Sequence, residues 1–239
     1  MPARPPTCHP ALPGIGDDEI NAHFGLLPDS YFAQAGAAEV TLHLRMVNRL
    51  LQSINAADSL GSLRPVIEWH DAPGGEFTAV HVVTWDRAGL FYKLAGSCSV
   101  AGLNILAARI TTRSDHIAID TFSVAEPGGG AVRDERAKAR FVRSVEDALV
   151  NHADLLPAIL AQQQAQPAPA PPAASPPTVE LFADHGFNLS SARVTTERGQ
   201  AVDTFHLEPE DPAALDDARL ATLRTAVLGA ISGPALAAG

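Results

Sequence analysis

A chain of 239 residues has room for one large domain or two small ones, and its 46% of apolar residues can fill a packed core. A formal net charge of −10 repels phosphate backbones and argues against nucleic-acid binding as a main role. No run of about 18 uninterrupted apolar residues occurs, and the start MPARPPTCHPALPG lacks the apolar segment of a secretory signal, so no membrane association and a cytoplasmic location are expected.

Residues 1–16 are Pro-rich and read as a disordered N-terminus. A helical segment, 17–62, follows. Asp17 and Asp18 open its first helix, where acids suit the positive helix end, and Pro28 interrupts it. A longer helix is expected at about 37–55, where Val40, Leu44, Val47, Leu51 and Ile54 recur at helical spacing. Gly61 marks the turn after it. The stretch LRPVIEWHDAPGGEF then reads as a short strand and a Pro-Gly turn.

Residues 63–160 carry the main module. Val80, Val82, Val83 and Trp85 make a strand rich in β-branched and aromatic residues, ending at Asp86-Arg87-Ala88-Gly89. From Leu90 to Ala101 the period becomes helical, with Phe91, Leu94, Ala95 and Cys98 on one face and Gly102 closing the helix. Cys98 on that face is expected as a buried free thiol; with Cys8 as the only other cysteine there is no disulfide framework. Strands are expected over 103–112 and 116–124 with the hairpin-sized link Arg113-Ser114-Asp115, then a helix over about 132–150. The order β-α-β-β-α over 78–150 begins a split βαβ, ferredoxin-like sandwich of the α+β class, one antiparallel sheet with two helices on one face. LLPAILAQQQ reads as the end of a helix, so no final strand is evident.

Residues 161–177, AQQQAQPAPAPPAASPP, form a Pro/Ala-rich linker. Beyond it, in 178–239, the chain repeats itself. GLNILAARITTRSDHIAIDTFSV (102–124) matches GFNLSSARVTTERGQAVDTFHL (186–207) with one residue fewer in the hairpin. Gly102/Gly186, Asn104/Asn188, Ala108/Ala192, Arg109/Arg193, the Thr-Thr pairs and Asp120-Thr121-Phe122/Asp203-Thr204-Phe205 coincide. A helix is expected at about 214–231. This second module lacks its first strand and turn, which the linker replaces. Two truncated sheet edges follow, to be completed by each other or by another subunit.

TWDRAGLFYKLAGSCSVAGLNILAARITTRSDHIAIDTFSV resembles the first ACT domain of bacterial PII uridylyltransferase/uridylyl-removing enzymes, and HFGLLPDSYF and EVTLHLR resemble the segment before their C-terminal ACT pair. The resemblance covers about 20–150 and 178–231. It implies a regulatory module for nitrogen metabolism that senses an amino acid, glutamine first among candidates, and that forms a homo-oligomer or docks an ACT partner protein. It places the effector near Trp85, Asp86, Arg87, Ala88, Gly89, Leu90, Asn104 and Ile105. The family turn usually has Pro where Ala88 stands. Gly89 permits close backbone approach, the helix N-terminus suits a carboxylate, and Asn104 offers a donor and an acceptor. The alternative is a tight structural turn with Asp86 capping the helix and Arg87 solvated, in a ligand-free dimerisation module or remnant of the enzyme. No Gly-Ser loop with paired acids precedes residue 80, and His70-Asp71 is a bare dipeptide without a partner His and Asp array, so no catalytic residues are expected. The nine histidines show no HxxH or HExxH spacing, so neither a metal nor another cofactor is expected.

Overall fold

The computed structural model describes residues 14–55, 64–165, 182, 185–197, 200–209 and 215–232. The expected N-terminal disorder, the Gly61 turn and most of the Pro/Ala-rich linker lie outside the described residues.

Three helices open the chain: α1 (Asp17–Leu26), α2 (Asp29–Gln34) and α3 (Ala37–Asn55). Next come β1 (Val66–Asp71), β2 (Thr78–Trp85), α4 (Leu90–Ala101), β3 (Asn104–Thr112), β4 (Ile117–Ala125), α5 (Glu135–Val150) and α6 (Leu156–Ala165). The second unit contributes β5 (Phe187–Glu197), β6 (Gln200–Pro209) and α7 (Asp217–Ser232).

The first sheet is antiparallel, with strand order β1-β2-β4-β3. Omitting β1 leaves the β-α-β-β-α order expected over 78–150. The missing final strand is replaced from the other end of the module: β1 forms a hairpin with β2 and covers the edge a sixth element would take. The sequence announces β1 as a strand, but its role as the covering edge comes from sheet order.

Both faces of the sheet are covered. On one, Val80, Val82, Phe122 and Val124 pack against Leu94 and Cys98 of α4 and Phe141, Val145 and Leu149 of α5. On the other, Val83, Ile117 and Ile119 pack against Tyr31 of α2 and Val40, Met46, Val47 and Leu50 of α3. The two helices of the β-α-β-β-α unit, α4 and α5, share one face as expected, and the N-terminal helices cover the other. β2 carries the physical reason: Val80 and Val82 face one layer and Val83 the other, so both faces of the strand need cover. The α3 stripe is rotated slightly from its expected line: Val40, Leu44 and Val47 are buried as anticipated, but His43, Met46 and Leu50 join them while Leu51 is half-buried. Cys98 is free and buried, and burial pushes its thiol pKa upward.

The internal repeat survives in three dimensions. β3 carries a register shift between Ile105 and Ala107, and β5 carries one between Leu189 and Ser191, at the equivalent place. Gly102 and Gly186 both adopt left-handed φ, +76° and +71°. Phe182, Phe187 and Leu223 make a small separate core under the β5–β6 hairpin. β5 lies beside β3, the open edge of the first sheet, although their hydrogen-bonded ladders remain distinct.

Candidate functional site

The turn between β2 and α4 is built as the sequence implies. Gly89 takes φ +70°, a left-handed conformation that costs a residue with Cβ, and no side chain caps the α4 N-terminus. The expectation that Asp86 caps the helix is not met. The Asp86 backbone N–H donates instead to the His116 carbonyl, 2.7 Å away, which joins the turn to the β3–β4 hairpin. Arg87 is not simply solvated: its Nη1 donates to the Leu149 carbonyl at 2.8 Å, satisfying an open carbonyl near the end of α5. Ala88 is exposed.

The remaining candidates disperse. Leu90 is a core residue, and Ile105 packs against the same core. Trp85 packs with the α1–α3 layer. Asn104 pairs with Ala125, whereas Trp85 pairs with Ile117, so Asn104 and the turn lie at opposite ends of β4, about 26 Å apart at strand spacing. Within one module the chain brings Asp86, Arg87, Ala88 and Gly89 together. Asn104 and Ile105 lie away from it, at the other end of the sheet.

Sequence reasoning missed the electrostatics beneath the turn. Asp120 is fully buried on the α4–α5 face of the sheet, and neither carboxyl oxygen has a hydrogen-bond partner. Burial, and then the nearby Asp86, push its pKa well above the usual carboxylate range; the Thr111 backbone N–H pulls weakly the other way. Thr84, buried on the same face, also has an unpartnered hydroxyl. Asp86 is exposed as a residue, yet its own pKa is raised, chiefly by partial burial of the carboxyl, against the opposing pull of the Arg87 backbone N–H and the His116 and Arg87 charges. The site thus combines an uncapped helix N-terminus with two acids that resist ionisation.

This has a measurable consequence. The unfolded chain releases the Asp120 proton near its ordinary value, 3.8, while the folded chain retains it. Wild-type stability is therefore lost as pH rises from that value through the raised folded pKa. Asp120→Asn removes the loss. Urea unfolding is expected to show the variant more stable than wild type at pH 7 by at least about 1 kcal/mol, with the gap closing by pH 4.

A second polar group lies on the opposite face, between α3 and β2. The His43 and His81 rings meet with Nε2 and Nδ1 2.9 Å apart, and Tyr31 Oη sits 2.8 Å from His43 Nδ1. Glu39 stands at their edge, paired with Arg109. Arg109 also donates to the Gln34 carbonyl at 3.0 Å, so it clamps the helical layer to β3. His43 and His81 are 38 residues apart; strand pairing and helix packing unite them, which no spacing motif reports. By contrast His70 and Asp71, the HD dipeptide, are exposed at the end of β1, where Asp71 accepts from Thr78 Oγ1 at 2.7 Å and pairs with Arg133.

A four-stranded antiparallel sheet carrying a β-α-β-β-α unit, with a glycine-pinned strand-to-helix turn, defines an α+β ferredoxin-like sandwich compatible with ACT modules. Known proteins narrow this further. Over 232 aligned residues, 85% of the chain, it is 29% identical to the bifunctional uridylyltransferase/uridylyl-removing enzyme of Rhodospirillum rubrum. It is 32% identical to the same-named enzyme of Erythrobacter litoralis over 139 residues and 30% identical to that of Novosphingobium aromaticivorans over 141. The chain is related to these bifunctional uridylyltransferase/uridylyl-removing enzymes, and it spans 24%, 14% and 14% of their respective lengths. No family model matches it, and no solved structure does. Among the described residues, no helix is long and apolar enough to cross a membrane.

Proposed function

We propose that the chain is a non-catalytic regulatory module that binds a free amino acid, glutamine first, at the β2–α4 turn, and relays occupancy through contacts between modules or with a partner. The observation that carries this is the uncapped α4 N-terminus behind left-handed Gly89. Backbone amides at such an end favour a carboxylate. The exposed Asp86 beside this end can accept a hydrogen bond from an ammonium group. An α-amino acid presents a carboxylate and an ammonium group on one carbon, so both can be met at a single turn. The relation to uridylyltransferase/uridylyl-removing enzymes agrees with a role in nitrogen regulation. Because Asn104 lies at the far end of the sheet, its contribution would come from a second module or subunit, which ties binding to assembly. A coupling of about 1–3 kcal/mol suffices to shift such an interface.

Calorimetry with glutamine and a panel of other amino acids tests the reading. Saturable binding is expected, and Gly89→Val should abolish it, since valine resists φ +70°. Absence of binding by any amino acid to the wild-type chain would overturn the sensor. A ligand-free interaction module would then be the better account, with Arg87 serving only to tie the turn to α5.

A further inference from the structure

We propose that Glu39, His43 and His81 form a binding site for a divalent transition metal of the zinc class, which fastens helix α3 to strand β2. The three side chains bring one ligand atom each within 4.8 Å of the others. His43 Nε2 and His81 Nδ1 are 2.9 Å apart, and Glu39 Oε1 is 4.0 Å and 3.9 Å from them. Ligands at about 2.0–2.1 Å from a tetrahedral zinc are separated by about 3.3 Å. The observed triangle brackets that spacing, so a small opening of the histidine pair and a small advance of the carboxylate complete it. Thr121 Oγ1, 3.1 Å from His81 Nδ1 and 3.5 Å from His43 Nε2, lies on the same centre and can supply or orient a fourth oxygen.

The surroundings suit a cation held by neutral imidazoles. Both rings are buried between α3 and β2, out of bulk water. With the proton on His43 Nδ1, Tyr31 Oη at 2.8 Å can accept it and leave Nε2 as a lone-pair donor; His81 Nδ1, which then donates to Nε2 in the metal-free pair, must move its proton to its own Nε2 to bind. Two imidazoles and a carboxylate favour a borderline metal over magnesium or calcium, which prefer all-oxygen sets. Glu39 is 20% exposed and Arg109 36%, so an entry path exists on that side. Arg109 pairs with the same Glu39 oxygen, Oε1, and opposes the cation, so metal binding requires the guanidinium to shift to the carboxylate's second oxygen. Because α3 supplies Glu39 and His43 and β2 supplies His81, occupancy would lock the helical layer onto the sheet.

The test uses the full chain, stripped with a chelator and titrated with Co²⁺ and Zn²⁺. One equivalent of Co²⁺ should develop the visible absorption of tetrahedral nitrogen–oxygen coordination, and Zn²⁺ should displace it and raise the Tm. His81→Gln and Glu39→Gln should weaken binding by roughly 10-fold or more and lose the Tm rise. His70→Gln, which alters an exposed neighbouring histidine, should leave both unchanged. No cobalt absorption in the wild-type chain overturns the proposal, as does a spectrum that persists in His81→Gln or vanishes in His70→Gln. If His81→Gln does not fold, the wild-type cobalt spectrum and Glu39→Gln decide the matter.

Discussion

Phe122→Ala should destabilise the protein by about 3–5 kcal/mol, enough to unfold a domain of ordinary stability. Phe122 sits at the centre of the first sheet with no exposed surface, stacked on Phe91 with ring centroids 5.8 Å apart. Its strand is held on both sides, by β2 and by β3, through register pairs with Val80 and Ala108. The backbone there cannot collapse into the space the ring leaves, so most of the cavity would persist, and the cost of such substitutions grows with residual cavity volume. Urea unfolding should show a lower midpoint with an unchanged slope. A loss under about 1 kcal/mol would mean that α4 and α5 close over the vacancy and that this core is looser than its burial implies.

Acid should weaken the fold through His23, and the expected loss is comparable. His23 is fully buried on α1, with its Nδ1 3.4 Å from Arg113 Nη1 and its Nε2 unpartnered. Burial first, then the Arg113 charge, lower its pKa from 6.5 to about 3, against the weaker pull of Asp115. The sign follows from linkage. The folded state holds a neutral ring while the unfolded chain takes up a proton below 6.5, so stability present above that value is lost as pH falls toward 3. Between pH 6.5 and pH 4 the contribution is about 3 kcal/mol, at roughly 1.4 kcal/mol per pH unit. His23→Phe removes this proton uptake. Plotted against pH, the wild-type unfolding free energy should fall more steeply than that of the variant below pH 6.5, and parallel curves would refute the assignment.

The arrangement around His23 also explains why the helical layer matters to the turn. Arg113 forms a bidentate pair with Asp115 at 3.0 and 2.8 Å, and the Ser114 backbone N–H donates to the Leu26 carbonyl. The β3–β4 hairpin is thereby fixed to α1. The same hairpin, through the His116 carbonyl, receives the Asp86 N–H of the β2–α4 turn. A change of packing in α1–α3 thus has a direct hydrogen-bonded route to the proposed amino-acid site, and a metal on α3 would stiffen its start.

Local patterns determined much of this protein. The period change at Gly89 places α4, the duplicated Gly-x-Asn and Asp-Thr-Phe blocks place β3–β4 and β5–β6, and Gly102 and Gly186 end up left-handed because each must reverse the chain without a Cβ. These are short-range effects, so residues within a few positions carry them. Tertiary structure alone decided the rest. β1 becomes the covering edge because pairing with β2 satisfies backbone groups that a missing strand would leave open. α1–α3 settle on the second face because Val83, Ile117 and Ile119 would otherwise remain in water. Asn104 is carried away from the turn by the length of α4, although the two are near in sequence. Asp120 loses its partners, and Glu39, His43 and His81 gain one another, by strand register and helix packing across long separations. Spacing in sequence cannot report such meetings, because they depend on which faces the hydrophobic effect turns inward.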